Sequence, residues 1–181
     1  MPYQSITVSN FRNLVEQRLE FSPLINVIDG KNGSGKSSLI ESLYYLSVGK
    51  SFRSSKLDSI VEHNASGFTL FSVTEDDNRH QHRVGITREK NKSALIKIDG
   101  EFIRSAIQLA SITPTLVIEP ETFELLDGGP NNRRRYMDWG VFHVEHRFSE
   151  AWRRYTKSLK QRNTLLRRGR IDRSLLAPWD S

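Results

Sequence analysis

No cysteine occurs anywhere in the 181 residues, which excludes a disulfide framework, thiolate zinc sites and a cysteine nucleophile together. Long apolar runs are missing too. The longest, such as residues 115–118, fall far short of the roughly 20 residues that a membrane-spanning helix needs. Nor does the N-terminus show a basic-then-apolar signal peptide. These absences point to an intracellular, cytoplasmic protein. Acid is scarce in one place only. Residues 1–130 carry 14 Lys and Arg against 16 Asp and Glu, whereas residues 131–181 carry 13 against 5. The formal charge of +6 is therefore owed wholly to the C-terminal stretch, which reads as a surface that meets anions. The length suits one domain with a sizeable core, or one domain and part of a second.

Apolar residues alternate with polar ones over residues 3–9, with Ile6 and Val8, and again at Leu19 and Phe21 before a turn at Ser22-Pro23. This predicts two strands of a hairpin. Residues 24–28 are apolar except for Asn26, the pattern of a strand buried on both faces of a parallel sheet, ended by Gly30. From Ser37 the spacing turns helical. Leu39, Ile40, Leu43, Tyr44 and Leu46 form a broad apolar stripe that stops at Gly49. Residues 68–73, 83–86 and 95–98 read as an antiparallel meander, with polar turns at Asp76-Asp77-Asn78 and residues 89–92, closed by Asp99-Gly100. A short helix is expected over residues 103–109 and a further buried strand over residues 115–118. No internal repeat or low-complexity tract is visible.

The chemistry concentrates between strand and helix. Residues 30–37 fit G-x-x-x-x-G-K-[ST] without a mismatch: Gly30, Lys31, Asn32, Gly33, Ser34, Gly35, Lys36 and Ser37. The glycines let the chain bend with its amides inward, so that N–H groups and a helix N-terminus face phosphates. Lys36 would reach the β- and γ-phosphates of ATP, and the Ser37 hydroxyl would take one position on Mg²⁺. A P-loop does not choose among its enzyme classes, so its surroundings must. A GTPase should offer an N-K-x-D clamp, and the nearest stretch, Asn91-Lys92-Ser93-Ala94, lacks the aspartate. A small-molecule kinase stays open, because Arg133-Arg134-Arg135 would serve as a phosphate lid. Against it, kinases of this type begin with the P-loop strand itself, and here a hairpin comes first.

That hairpin and loop, residues 6–54, resemble the N-terminal head of the SMC-like ATPases, and within them the sequence is most similar to the RecF family. The similarity continues through IDGEFI at 98–103, ELLDGGPNNRRRYMDWG at 124–140, LKQRN at 159–163 and PWD at 178–180. The resemblance implies an α/β fold: the N-terminal part of an ABC/SMC-type P-loop ATPase head, with a mixed sheet around the P-loop helix and an antiparallel meander. Residues 1–130 would form this P-loop lobe, and residues 131–181 the start of a basic helical lobe. It also implies ATP held between two protomers, hence an ATP-dependent homodimer when full length, with weak DNA-stimulated ATPase activity. The Walker B strand and signature motif are expected in the C-terminal half, which this chain stops short of. Expected partners are single-stranded and gapped duplex DNA, RecR, RecO and RecA, in DNA repair and replication and the SOS response. The alternative remains a P-loop phosphotransferase.

Further residues are assigned from the same resemblance. Leu116-Val117-Ile118-Glu119 imitates a Walker B strand, but it aligns with the strand before the head's Q-loop, where Glu119 approaches Mg²⁺ or its water. Leu126-Asp127-Gly128-Gly129-Pro130 imitates a signature loop but lacks the serine, and its proline argues for a turn rather than a direct helix start. Arg12 matches an arginine that approaches the nucleotide in SMC-like heads. Arg53, after the P-loop helix in Ser51-Phe52-Arg53, is open to two readings, a contact with DNA or the phosphates and a plain surface charge. No catalytic residue is assigned.

The tail is read from its residues. Over 148–170, Phe148, Trp152, Tyr155 and Leu159 share one helical face, with Phe148, Trp152 and Leu159 expected as core. Arg153, Arg154, Lys157 and Lys160 stand among a nearly unmixed set of cations, and are expected to contact DNA phosphates. His80 and His82 pair on a strand without a third ligand in the sequence pattern, so no metal is assigned to them.

Overall fold

Residues Ile6, Val8, Phe68, Leu70, Val84 and Ile86 are all fully buried, and each lies two positions from the next in its own strand. This period-2 burial turns one sheet face to the core, where Ser72 and Thr74 are buried too, and leaves the other to residues such as Thr7, Thr69, Phe71 and Thr87. The computed structural model describes residues 3–76, 78–103, 106–119, 129–145 and 147–167. It divides into two compact units, Met1–Ile118 and Glu119–Ser181.

In the first unit, β1 (Tyr3–Phe11) and β2 (Leu14–Glu20) form the expected hairpin, followed by helix α1 (Lys36–Val48) and a single 3₁₀ turn at Leu57–Ser59. Then come β3 (Gly67–Glu75), β4 (Gln81–Glu89), β5 (Leu95–Ile98) and β6 (Glu101–Ile103), and helix α2 (Ala106–Ile112). The six strands make one sheet in the order β2-β1-β3-β4-β5-β6, every neighbouring pair antiparallel. The hairpin is thus joined to the meander through β1 and β3, with Val8 opposite Leu70 and Leu70 opposite Ile86.

Helix α1 lies on the apolar face. Tyr45 meets Phe11 and Phe68 edge to face, at 6.0 and 5.1 Å between ring centroids, and Phe11 meets Phe68 at 5.0 Å. Such edge contacts suit the ring quadrupoles and fix the helix's rotation. Tyr3 donates its hydroxyl to the Leu43 carbonyl at 2.9 Å, tying β1 to the helix. Burial pushes the pKa of that phenol up. Just past α2, the buried Thr113 hydroxyl donates to the Leu109 carbonyl at 3.0 Å and lies 3.4 Å from the Leu46 carbonyl of α1.

Residues 24–28 form no strand, and Leu24, Ile25 and Val27 are 89, 82 and 86 % exposed. A run apolar on both faces needs sheet neighbours and covering layers, and none of the six strands pairs with it. For the same reason the expected mixed sheet is wholly antiparallel among the described residues. Residues 115–118 are likewise not a strand, with Leu116 and Ile118 exposed. In α1 the core side is Leu39, Ser42, Tyr45 and Leu46, while Ile40 is exposed. The helix's buried side mixes Leu39, Tyr45 and Leu46 with Ser38, Ser42 and Ser47. Strand β6 was not expected, and the helix expected over 103–109 lies at Ala106–Ile112.

The second unit contains α3 (Pro130–Val144) and α4 (Phe148–Leu166). Pro130 does not prevent a direct helix start; it occupies the first turn of α3. Proline suits that place because its missing N–H would have no partner in the helix anyway. Residues 120–128, with most of the 124–130 turn, and residues 168–181, with Arg168, Arg170 and PWD, lie outside the described residues. Trp152 and Leu159, expected as core, are exposed at 41 and 38 %. Phe148 stacks on Trp152 at 6.0 Å between ring centroids, and Tyr155 lies tilted against Trp152 at 5.8 Å.

Candidate functional site

The loop over residues 30–37 runs directly into α1. Gly30, Gly33 and Gly35 hold φ of 145°, 82° and 100°, a region that residues with a Cβ avoid. Gly35 has a second constraint, since a Cβ there would fall 2.6 Å from Leu14 Cδ2. The helix N-terminus has no side-chain cap and no acid in its first turn. Its leading N–H groups therefore present a partial positive charge toward the loop. Lys36 folds back across the loop, its Nζ donating to the carbonyls of Gly30 at 2.7 Å and Lys31 at 2.9 Å. An ammonium over a glycine turn at an uncapped helix N-terminus is a donor set suited to a polyphosphate. Ser37 adds one hydroxyl oxygen of the kind Mg²⁺ accepts. The residues present thus fit Mg²⁺–ATP. Among the described residues no three His, Cys, Asp or Glu side chains gather to hold a metal by themselves.

A second cluster stands on α1. Glu41 is fully buried. It accepts from Arg12 Nε at 3.0 Å and Nη2 at 2.7 Å, and from the Ser51 hydroxyl. Arg53 Nη1 lies 3.6 Å from its other side. The third arm of Arg12, Nη1, donates to the Ser59 carbonyl. The two-point arginine–carboxylate contact is the strong form of ion pair, and its burial requires this saturation of the carboxylate oxygens. Arg12 thus has all three guanidinium nitrogens engaged within the first unit. The Ser51 hydroxyl also accepts from the N–H groups of Arg53 and Ser54, so the segment after α1 is anchored to the helix through Glu41.

Glu41 and Asn13 were not among the residues expected at the site. The signal for Glu41 was present: it is the only charged residue between Lys36 and Lys50. A lone acid among uncharged residues calls for a partner wherever it is buried. Asn13 carried no such mark. Its amide bridges the Gly33 carbonyl and the Ser38 hydroxyl across the loop.

Glu119 begins the second unit, and the loop belongs to the first. On α4, Arg153, Arg154, Lys157 and Lys160 are all exposed. Arg154 shares a 3.3 Å contact with Glu150 one turn away, both highly exposed, a pair worth little in water. His80 and His82 gather at Asp76: His82 Nδ1 is 2.8 Å from Asp99 and its Nε2 3.7 Å from Asp76, while His80 Nδ1 is 3.5 Å from Asp76. The Asp99 hydrogen bond raises the His82 pKa against the opposing effect of burial. Burial would raise Asp99, but the Arg83 N–H and the His82 ring outweigh it and leave that carboxyl lowered. This cluster locks the β3–β4 turn to the β5–β6 turn, away from the loop in sequence and in sheet position.

Comparison with known proteins bears on both units. The RecF/RecN/SMC N terminal domain family matches residues 3–169. The chain is 44 % identical over 180 residues to the DNA replication and repair protein RecF of Marinomonas sp. (strain MWYL1), covering 99 % of this chain and 49 % of that protein. It is 41 % identical over 179 residues to RecF of Stutzerimonas stutzeri (strain A1501), covering 99 and 48 %. The chain spans about half the length of the curated relatives it matches. Among solved structures, the recombination mediator protein RecF with ATP, of the RecFOR pathway, superposes with a TM-score of 0.86 at 31 % identity. That superposition covers 98 % of this chain and 48 % of the other.

Proposed function

The chain belongs to the RecF/RecN/SMC N-terminal domain family, and from that membership we propose that it is the ATP-binding part of a DNA replication and repair protein of the RecF kind. The observation that carries this reading is the loop at 30–37, whose positive-φ glycines, folded-back Lys36 and uncapped helix N-terminus suit a nucleotide polyphosphate. Its residues bind and orient the phosphates and, through Ser37, the Mg²⁺; the bound nucleotide supplies the energy of a phosphoanhydride. Hydrolysis needs charge stabilisation from both faces of the γ-phosphate. In this reading the second face, with the Walker B carboxylates and a partner's signature loop, comes from the part of the relatives' length that this chain does not span. The isolated chain therefore holds ATP without turning it over above background.

The full protein then binds single-stranded and gapped duplex DNA as an ATP-dependent dimer. With RecR and RecO it helps load RecA in recombinational repair and the SOS response. On α4, Arg153, Arg154, Lys157 and Lys160 neutralise DNA phosphates, which positions the protein without reading bases. The test is the salt dependence of single-strand binding, with a log–log slope of roughly −0.7 per phosphate contact. Replacing Lys157 and Lys160 by Gln should flatten that slope by about 1.4 and weaken all sequences alike. An unchanged slope removes α4 from the DNA interface. ATP turnover in the full-length protein that responds to a small metabolite and not to DNA would instead favour the phosphotransferase reading.

A further inference from the structure

The turn between β1 and β2 touches the loop through Asn13 and Leu14. Asn13 Nδ2 donates to the Gly33 carbonyl at 2.8 Å, and its Oδ1 accepts from the Ser38 hydroxyl at 2.7 Å. Because a backbone carbonyl only accepts, the amide orientation is fixed. Leu14 closes the same side at Gly35. The shape of the turn is imposed from elsewhere. Asn10 and Arg12 hold left-handed φ of 57° and 56°, a strained state for non-glycine residues that its surroundings must enforce. They do so at residues 60–62: the Arg12 N–H donates to the Ile60 carbonyl at 2.6 Å, and the Glu62 N–H to the Asn10 carbonyl at 2.9 Å. The Arg12–Glu41 pair completes the clamp.

We propose that Asn13 is a positioning residue for nucleotide binding, holding the P-loop in the conformation that receives the phosphates; this rests on the ATP reading of residues 30–37. The peptide unit is planar and trans, so its C=O and N–H point to opposite sides. Turning the Gly33 carbonyl toward Asn13 therefore turns the Ser34 N–H away from it, into the loop, where it meets the Lys31 carbonyl at only 3.2 Å. That weakly held N–H is a donor ready to be taken over by a phosphate oxygen. At its other end, the Ser38 contact fixes the first turn of α1, and so the place of its neighbour Ser37. One side chain thus sets the direction of a loop amide and the register of the metal-binding hydroxyl.

The test titrates Mg²⁺–ATP into the parent chain, Asn13→Ala, Asn13→Asp and Ser38→Ala, with heat unfolding of each measured without nucleotide. Asn13→Ala loses both bridges and should weaken ATP about tenfold, and Ser38→Ala, losing one, about threefold. Asn13→Asp keeps the acceptor for Ser38 but sets a carboxylate against the Gly33 carbonyl, and should weaken ATP at least as much as alanine. A merely structural role would lower the unfolding midpoint and leave affinity unchanged in the folded protein. Affinity within twofold of the parent for both Asn13 variants overturns the proposal; should Asn13→Ala not fold, Asn13→Asp and Ser38→Ala decide it. A parent chain that binds no Mg²⁺–ATP overturns the nucleotide reading itself, a result distinct from parent-like binding by the variants.

Discussion

Replacing Arg12 by alanine should cost the first unit about 3 kcal/mol. Glu41 has no exposure, and Arg12 supplies two of its hydrogen bonds, at 3.0 and 2.7 Å. Deleting one partner of a buried pair typically costs about 3–5 kcal/mol, because the remaining charge is left without solvent or counter-ion. Here the low end applies, since the Ser51 hydroxyl and Arg53 stay beside the carboxylate. In a unit of this size 1 kcal/mol moves the unfolding midpoint by about 3–4 °C, so circular dichroism melting should show a fall of about 10 °C. Two controls sharpen the assignment. Arg12→Gly should lose roughly 0.5–1 kcal/mol less than alanine, because φ at position 12 is 56° and glycine adopts it without strain. Arg12→Ala with Glu41→Gln should lose less than the two single changes added together, as residues in direct contact do. A loss below about 1 kcal/mol for Arg12→Ala would refute the reasoning, since the buried carboxylate would then not depend on it.

The His82 cluster should make stability depend on pH with a definite sign. Because the His82 pKa is raised above 6.5, its contribution is fully present below that value and lost as pH rises through the folded pKa. The Asp99 pKa is lowered, so its share is present above about 3.8 and lost as pH falls through the folded value. Urea melts of the parent should thus weaken from pH 6 to 8 more than those of His82→Gln, and parallel curves would remove the cluster from the pH response. The exposed run at Leu24, Ile25 and Val27 should cause self-association without nucleotide. Light scattering should fall toward the monomer value when Ile25 and Val27 are changed to lysine, and an unchanged mass would locate the contact elsewhere.

What was legible in the sequence is what a local pattern can carry. Strands β1, β3 and β4 were visible because each buries one face, which writes a period of two into positions such as Ile6 and Val8 or Val84 and Ile86. The loop was visible because all eight of its positions are contiguous. Residues 24–28 misled for a physical reason: a continuous apolar run states that neighbours are required on both faces, but not where they come from. Strand β6 is only three residues long, too short for any period, and its Phe102 stands out in solvent beside Lys97, 4.5 Å from ring centroid to Nζ. Asn13 escaped because its role exists only after the β1–β2 turn meets the loop, and for Glu41 the lone charge marked a partner without naming it. Asn13 lies 20 residues before Gly33, and Arg12 lies 29 before Glu41. For the same reason α4 was visible as an amphipathic helix, while the exposure of Trp152 and Leu159 was not. The spacing marks a face to be covered and is silent about the cover.

In the ATP-binding proposal, residues 30–37 hold the phosphates of a nucleotide with Lys36 over them. The most direct measurement is calorimetric titration of Mg²⁺–ATP into this chain and into Lys36→Ala, read alongside ATP turnover. The parent should bind one ATP per chain without hydrolysing it, and Lys36→Ala, losing charge-assisted contacts to the phosphates, should bind at least tenfold more weakly. Equal binding by the two proteins would contradict the claim.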